Sequence, residues 1–183
     1  QKLRECELGV VWMASRKDNT GEDLKELALH QQRAFEILNV KPIYQQSFGF
    51  RARFLPQFDD EVRLALGKAR QVFKPELVVT HHHNDPHQDH SSLFSQVTRV
   101  FRNESIVCGE LAHQALEHRP NLVITLSENE LQKKIRAAKS FTSQSDKYYF
   151  REDVIRSHAL SRGANFGSLN PVEAYSIYRM CFD

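Results

Sequence analysis

Short apolar runs alternate along this chain with longer stretches in which apolar positions recur every three or four residues. The first pattern predicts strands at 8–14, 42–46, 77–82, 105–109, 122–126 and 173–179. The second predicts helices at 22–38, 59–72, 86–101, 128–140 and 151–161, each with one face fit for burial. Local end signals agree. Ser127 followed by Glu130 fits a capping box, and Asp59-Asp60 places acids in a first turn. Asp85-Pro86 reads as an N-cap followed by proline at the first helical position. Strand–helix alternation of this kind predicts an α/β fold with a mostly parallel sheet and helices on both faces. No internal repeat, low-complexity tract or long linker interrupts it, so residues 1–183 read as one domain.

The candidate chemistry sits at one junction. Residues 81–90, His-His-His-Asn-Asp-Pro-His-Gln-Asp-His, follow directly on the strand run Leu77-Val78-Val79-Thr80. An open α/β sheet binds its ligands beyond the carboxyl ends of its strands, and this segment falls there. On a helix starting at 86, His87 and His90 lie one turn apart on one face. Asp89 stands beside them in the first turn, where the helix dipole favours negative charge and a carboxylate can set an imidazole tautomer. The pattern points to a metal-assisted site. His82 and His83 alternate in direction as the strand ends, so one of them can face a metal or substrate. His81 is expected to face the sheet or a neighbouring helix, and His113, His118 and His158 read as surface residues.

Residues 75–90 resemble the second signature of the PIG-L/LmbE-type zinc-dependent deacetylases: an apolar strand, a Thr-His step and D-x-H-x-D-H. Ser143-Gln144 followed by Tyr148 resembles that family's S-Q-x(n)-Y element. Arg162-Gly163, Gly167 and Glu173-Ala174-Tyr175 resemble its closing stretch, with Val172 and Tyr175 as departures. The resemblance implies a Rossmann-like three-layer sandwich. It also implies hydrolysis of an N-acetyl group on an amino sugar by a metal-activated water. In that reading His90 is a zinc ligand, His87 the catalytic imidazole that steadies the oxyanion, and Asp89 the carboxylate that orients and charges His87. Asn84, Arg53 and Tyr148 are candidate substrate contacts, Arg53 from a Phe-rich stretch (47–58) that can grip a sugar or a phosphate. The alternative is a non-catalytic sugar-binding or regulatory member of the same fold that has lost its metal site.

The family opens with a strand ending in A-H-P-D-D, and no such motif occurs here. The resemblance therefore implies that the first strand is missing and that only part of the site is carried. With one zinc ligand matched, the chain alone is expected to be inactive. The helix 23–38 also lacks the family's acidic residue near His30-Gln31.

Composition narrows the setting. A formal net charge of +2 gives no electrostatic case for nucleic acid. No apolar run approaches the roughly 20 residues that span a bilayer. Cys6, Cys108 and Cys181 are isolated and read as reduced thiols, which favours the cytoplasm. A shortened sheet leaves strand edges to cover, so a homo-oligomer is expected.

Overall fold

A computed structural model describes residues 6–15, 21–111 and 119–182. The elements run β1 (Gly9–Ser15), α1 (Gly21–Leu38), β2 (Tyr44–Arg51), α2 (Asp59–Phe73), β3 (Leu77–His81), α3 (Gln88–Val100), β4 (Ser105–Gly109), β5 (Leu122–Thr125), α4 (Glu128–Lys139), α5 (Glu152–Asn165) and β6 (Val172–Arg179). The α/β class and the flanking helices are those the alternation predicts. The sheet is divided, however. β1 pairs in parallel with β2 alone, and a separate four-stranded sheet has the order β3-β4-β6-β5. Within it β3 and β4 are parallel, whereas β6 runs antiparallel to both of its neighbours.

β2 ends at Arg51, not at residue 46, and takes in residues 47–51 of the Phe-rich stretch. Phe48 and Phe50 explain the extension, because both pack on the core at alternate positions. Gly49, at φ 64°, supplies the bulge that lets Trp12 and Ala14 pair with Ser47 and Phe50. α5 runs a turn longer than its apolar pattern indicates. Its Gly163 is demanded by packing, because a Cβ there would run into the carbonyl oxygen of Asn170.

The main core gathers Met13, Leu55, Val62, Leu66, Val97 and Ile106 between the strands and the pair α2–α3. Each large apolar side chain buried there contributes ~1.5–3 kcal/mol. A smaller cluster of Leu131, Ile135 and Ala159 joins α4 to α5. Between β1 and β3 lies a cleft of about 160 Å³, lined by Gly9, Val11 and Met13 on one side and Val78 on the other, with Leu66 and Val97 also on its walls. α2 and α3 thus tie the two sheets together where no strand ladder does. No helix of the described residues is long and apolar enough to cross a membrane.

Candidate active site

β3 ends at His81, and its carboxyl end opens into the turn that leads to α3. The helix begins later than Asp85-Pro86 predicts. His87 is the N-cap, its Nδ1 accepting from the backbone N–H of Asp89 at 3.2 Å. Asp85 is drawn away from the capping role because its carboxylate makes other bonds. Its Oδ1 accepts from the His87 backbone N–H at 2.9 Å, and its Oδ2 lies 2.8 Å from His90 Nδ1. An Asx-type turn therefore replaces the first helical turn.

The imidazoles stack. The rings of His81 and His90 are 3.8 Å apart and nearly parallel, and His87 lies 4.4 Å from His90 on one face of the helix start. His81, Asp85 and His90 each offer a ligand atom within 4.8 Å of the others. Two imidazole nitrogens and a carboxylate oxygen form a donor set suited to zinc. Burial, then the neighbouring His90, lowers the His81 pKa to about 4. Burial and His90 also hold His87 below its ordinary value, and burial with His83 does the same for His82. Neutral imidazoles at pH 7 are the form a metal requires. The residues present fit the group.

Tautomers follow from the hydrogen bonds. A backbone N–H on Nδ1 of neutral His87 leaves its proton on Nε2, so that this side chain presents a donor. A carboxylate against Nδ1 of His90 places that proton on Nδ1 and frees the Nε2 lone pair.

Asp89 does something the sequence does not announce. Its buried carboxylate accepts from the backbone N–H groups of Arg53 and Leu55, at 2.5 and 3.0 Å. The carboxylate hydrogen-bonded to a ring at this site is that of Asp85; Asp89 reaches His87 through its field, which raises the pKa of that imidazole. Gln88 adds a bond from Nε2 to the carbonyl of Arg53 at 3.1 Å. The start of α3 thus grips the segment that follows β2.

Of the other candidates, Asn84 stands exposed in the turn with its backbone N–H on His82 Nδ1 at 3.2 Å. His82 is buried and His83 is not, their rings 4.2 Å apart. Tyr148 lies between α4 and α5, more than half exposed, its ring edge-on to Tyr149 at 5.5 Å. Ser143 and Gln144 form a short 3-10 turn after α4. His113 and His118 lie outside the described residues. His158 is not a lone surface residue, because its Nε2 is 3.4 Å from Glu110, one residue beyond β4. The Glu110 side chain is buried and also takes two bonds from Arg162. Burial alone would raise its pKa, but His158 and Arg162 outweigh it and hold the carboxyl at about 2.

Sequence reasoning does not single out His81 and Asp85, which the structure brings together with His90. The signal for His81 is its place as the last residue of β3, directly before the turn that leads to α3. Asp85 is visible in the sequence only as a cap.

No family model matches the chain, and no curated protein matches it. Solved structures do. The zinc-inhibited form of teicoplanin deacetylase Orf2 superposes with a TM-score of 0.63 at 14% identity, over 91% of this chain and 86% of its own. N,N'-diacetylchitobiose deacetylase from Pyrococcus horikoshii gives 0.68 at 20% identity, over 93% and 72%. The conserved protein TT1542 from Thermus thermophilus gives 0.72 at 15%, over 96% and 84%. This chain has the fold of the LmbE/PIG-L deacetylases.

Proposed function

We propose that this protein is a zinc-dependent hydrolase that removes an N-acetyl group from an amino sugar. The observation that carries the reading is the set of three donors, His81, Asp85 and His90, at the carboxyl end of β3. These residues would hold zinc. When bound, zinc supplies Lewis-acid polarisation at neutral pH. His87 presents its Nε2–H to the acetyl oxygen, where negative charge develops; a donor so placed contributes ~3–4 kcal/mol to the barrier. Asp89 fixes the approach of residues 53–55, while Asn84, Arg53 and Tyr148 are the candidate contacts for the sugar. The deacetylases of the same fold support an acylated sugar as substrate. Cytoplasmic location and self-association belong to the same proposal, the latter supported by the apolar surface that Leu77 and Val79 leave on β3.

One observation favours the non-catalytic alternative. The carboxylates of Asp85, Asp89 and Glu110 are all engaged by neighbouring groups, so none stands ready to accept a proton from water. The zinc-loaded chain is therefore assayed for acetate release from N-acetylglucosamine and N,N'-diacetylchitobiose. Release that disappears in His90→Ala supports the hydrolase. Stoichiometric zinc with sugar binding and no acetate release would establish the binding member instead.

A further inference from the structure

The cleft between β1 and β3 is bounded on both sides by strands that, among the described residues, have no ladder partner facing it. The two sheets still form one layer, because Met13 of β1 and Ile106 of β4 share a core cluster with Val62 of α2 and Val97 of α3. The layer is interrupted by a lane with backbone rims and an apolar floor of Leu66, Ala69 and Val97. Backbone direction settles what the β3 rim presents. The Glu76 carbonyl accepts from the Ser105 N–H on the β4 side, so the N–H and C=O groups of Leu77 and Val79 point into the cleft. On the same wall the Thr80 hydroxyl is buried, with no hydrogen-bond partner among the described residues. Leu77 and Val79 carry their side chains on the face of β3 away from α2 and α3, where both are exposed.

We propose that this cleft is an acceptor groove for one extended segment of a partner polypeptide, which inserts between β1 and β3 and pairs with both. A small apolar ligand could cover the floor but would leave the rims unpaired, and backbone groups shut away from water without partners are costly. A folded second copy can lie over the outer face of β3 but cannot enter the cleft. Each described strand is already hydrogen-bonded along at least one edge, whereas the occupant must be free along two. The groove therefore selects a segment that is unpaired before it docks, the chemistry of β-augmentation. β3 has five residues and β1 seven, which sets the length of the inserted strand. Its side chains would meet the floor on one face and lie beside Leu77 and Val79 on the other, so both faces should be apolar.

The probe is a soluble peptide of that character, acetyl-Lys-Val-Ile-Val-Ala-Val-Lys-amide, titrated into the full chain by calorimetry and mapped by deuterium exchange. It should bind and slow exchange in β1 and β3 together. Two analogues, each N-methylated at alternate residues along one edge, separate insertion from edge pairing. Insertion uses both edges, so each analogue should bind at least about tenfold more weakly than the parent. Val79→Pro removes a donor that faces the cleft and spares the β3–β4 ladder, so it should keep the unfolding midpoint and lose the peptide. The analogues read the wild-type chain and hold whether or not that variant folds. An analogue that binds as tightly as the parent would overturn the proposal, because a single exposed edge would then suffice. So would a folded Val79→Pro chain that keeps the peptide, protection of β2 or β5 in place of β1 and β3, or no binding by the wild-type chain. Concentration-dependent self-association that protects the β1 and β3 amides without peptide would assign the groove to a second copy and overturn it as well.

Discussion

Two strand-to-helix junctions in this molecule can be set side by side. After β5, Ser127 caps α4: its Oγ accepts from the Glu130 backbone N–H, and the Glu130 carboxylate returns to the Ser127 N–H at 2.7 Å. Ser127 and Glu130 there serve the helix by satisfying each other's backbone N–H groups. After β3, the cap is an imidazole, the nearest carboxylate holds another imidazole, and the acid of the first turn reaches across to a different segment. Histidine is a poor N-cap beside serine or aspartate. The β3 junction uses a weaker capping residue and brings three potential ligands face to face. Here the chain departs from local optimisation, and such departures mark function.

The contrast faces its most severe trial at His90. His90→Ala should weaken zinc binding about a hundredfold or more, read by competition with a chromogenic chelator, while leaving the fold intact. If zinc affinity is unchanged, the β3 junction is merely an awkward helix start. Asp89→Asn comes next. Replacing a buried carboxylate that accepts two backbone N–H groups should cost about 3 kcal/mol in urea unfolding and release the Arg53 segment to proteolysis.

Acid separates the surroundings of the junctions further. Glu110 has a folded pKa of about 2, below its unfolded value near 4.5. Its contribution is therefore present above pH 4.5 and is lost as pH falls toward 2. Glu110→Gln should flatten the acid limb of the stability profile by on the order of 2 kcal/mol. Glu128 at the β5 junction is paired with Arg156 in solvent, and Glu128→Gln should leave that limb nearly unchanged. The smallest effect is expected of Ser127→Ala, about 1 kcal/mol in unfolding free energy with no change in zinc affinity.

The same contrast explains what can be read from the sequence. The Ser127–Glu130 box is legible because capping is local, and helices α2 and α4 announce themselves by their period. His87 and His90 are legible through their one-turn spacing and through the family motif. Arg53 is visible as a candidate, but the grip of Asp89 on the chain around it joins residues 36 and 34 positions apart, and no local rule reports such a bond. β2 runs past the expected end at residue 46, and the structure uses Gly49 as a bulge within the strand. His81 reads as facing the sheet or a neighbouring helix because alternation along a strand does not say which face borders the site; in the structure its ring stacks on that of His90 at the start of α3.

The cleft between β1 and β3 carries a consequence for exchange with solvent. Among the described residues, backbone amides that point from either strand into it lack a ladder partner, while β4 is paired on both sides. Amide hydrogens of β4 should outlast those of β1 and β3 by orders of magnitude in deuterium exchange. Arg53 follows the two-stranded sheet and the histidines follow the four-stranded one, so Asp89 is a stitch across this seam. Slowed exchange at Arg53 and Leu55 would report how tightly the two halves of the site are held in register.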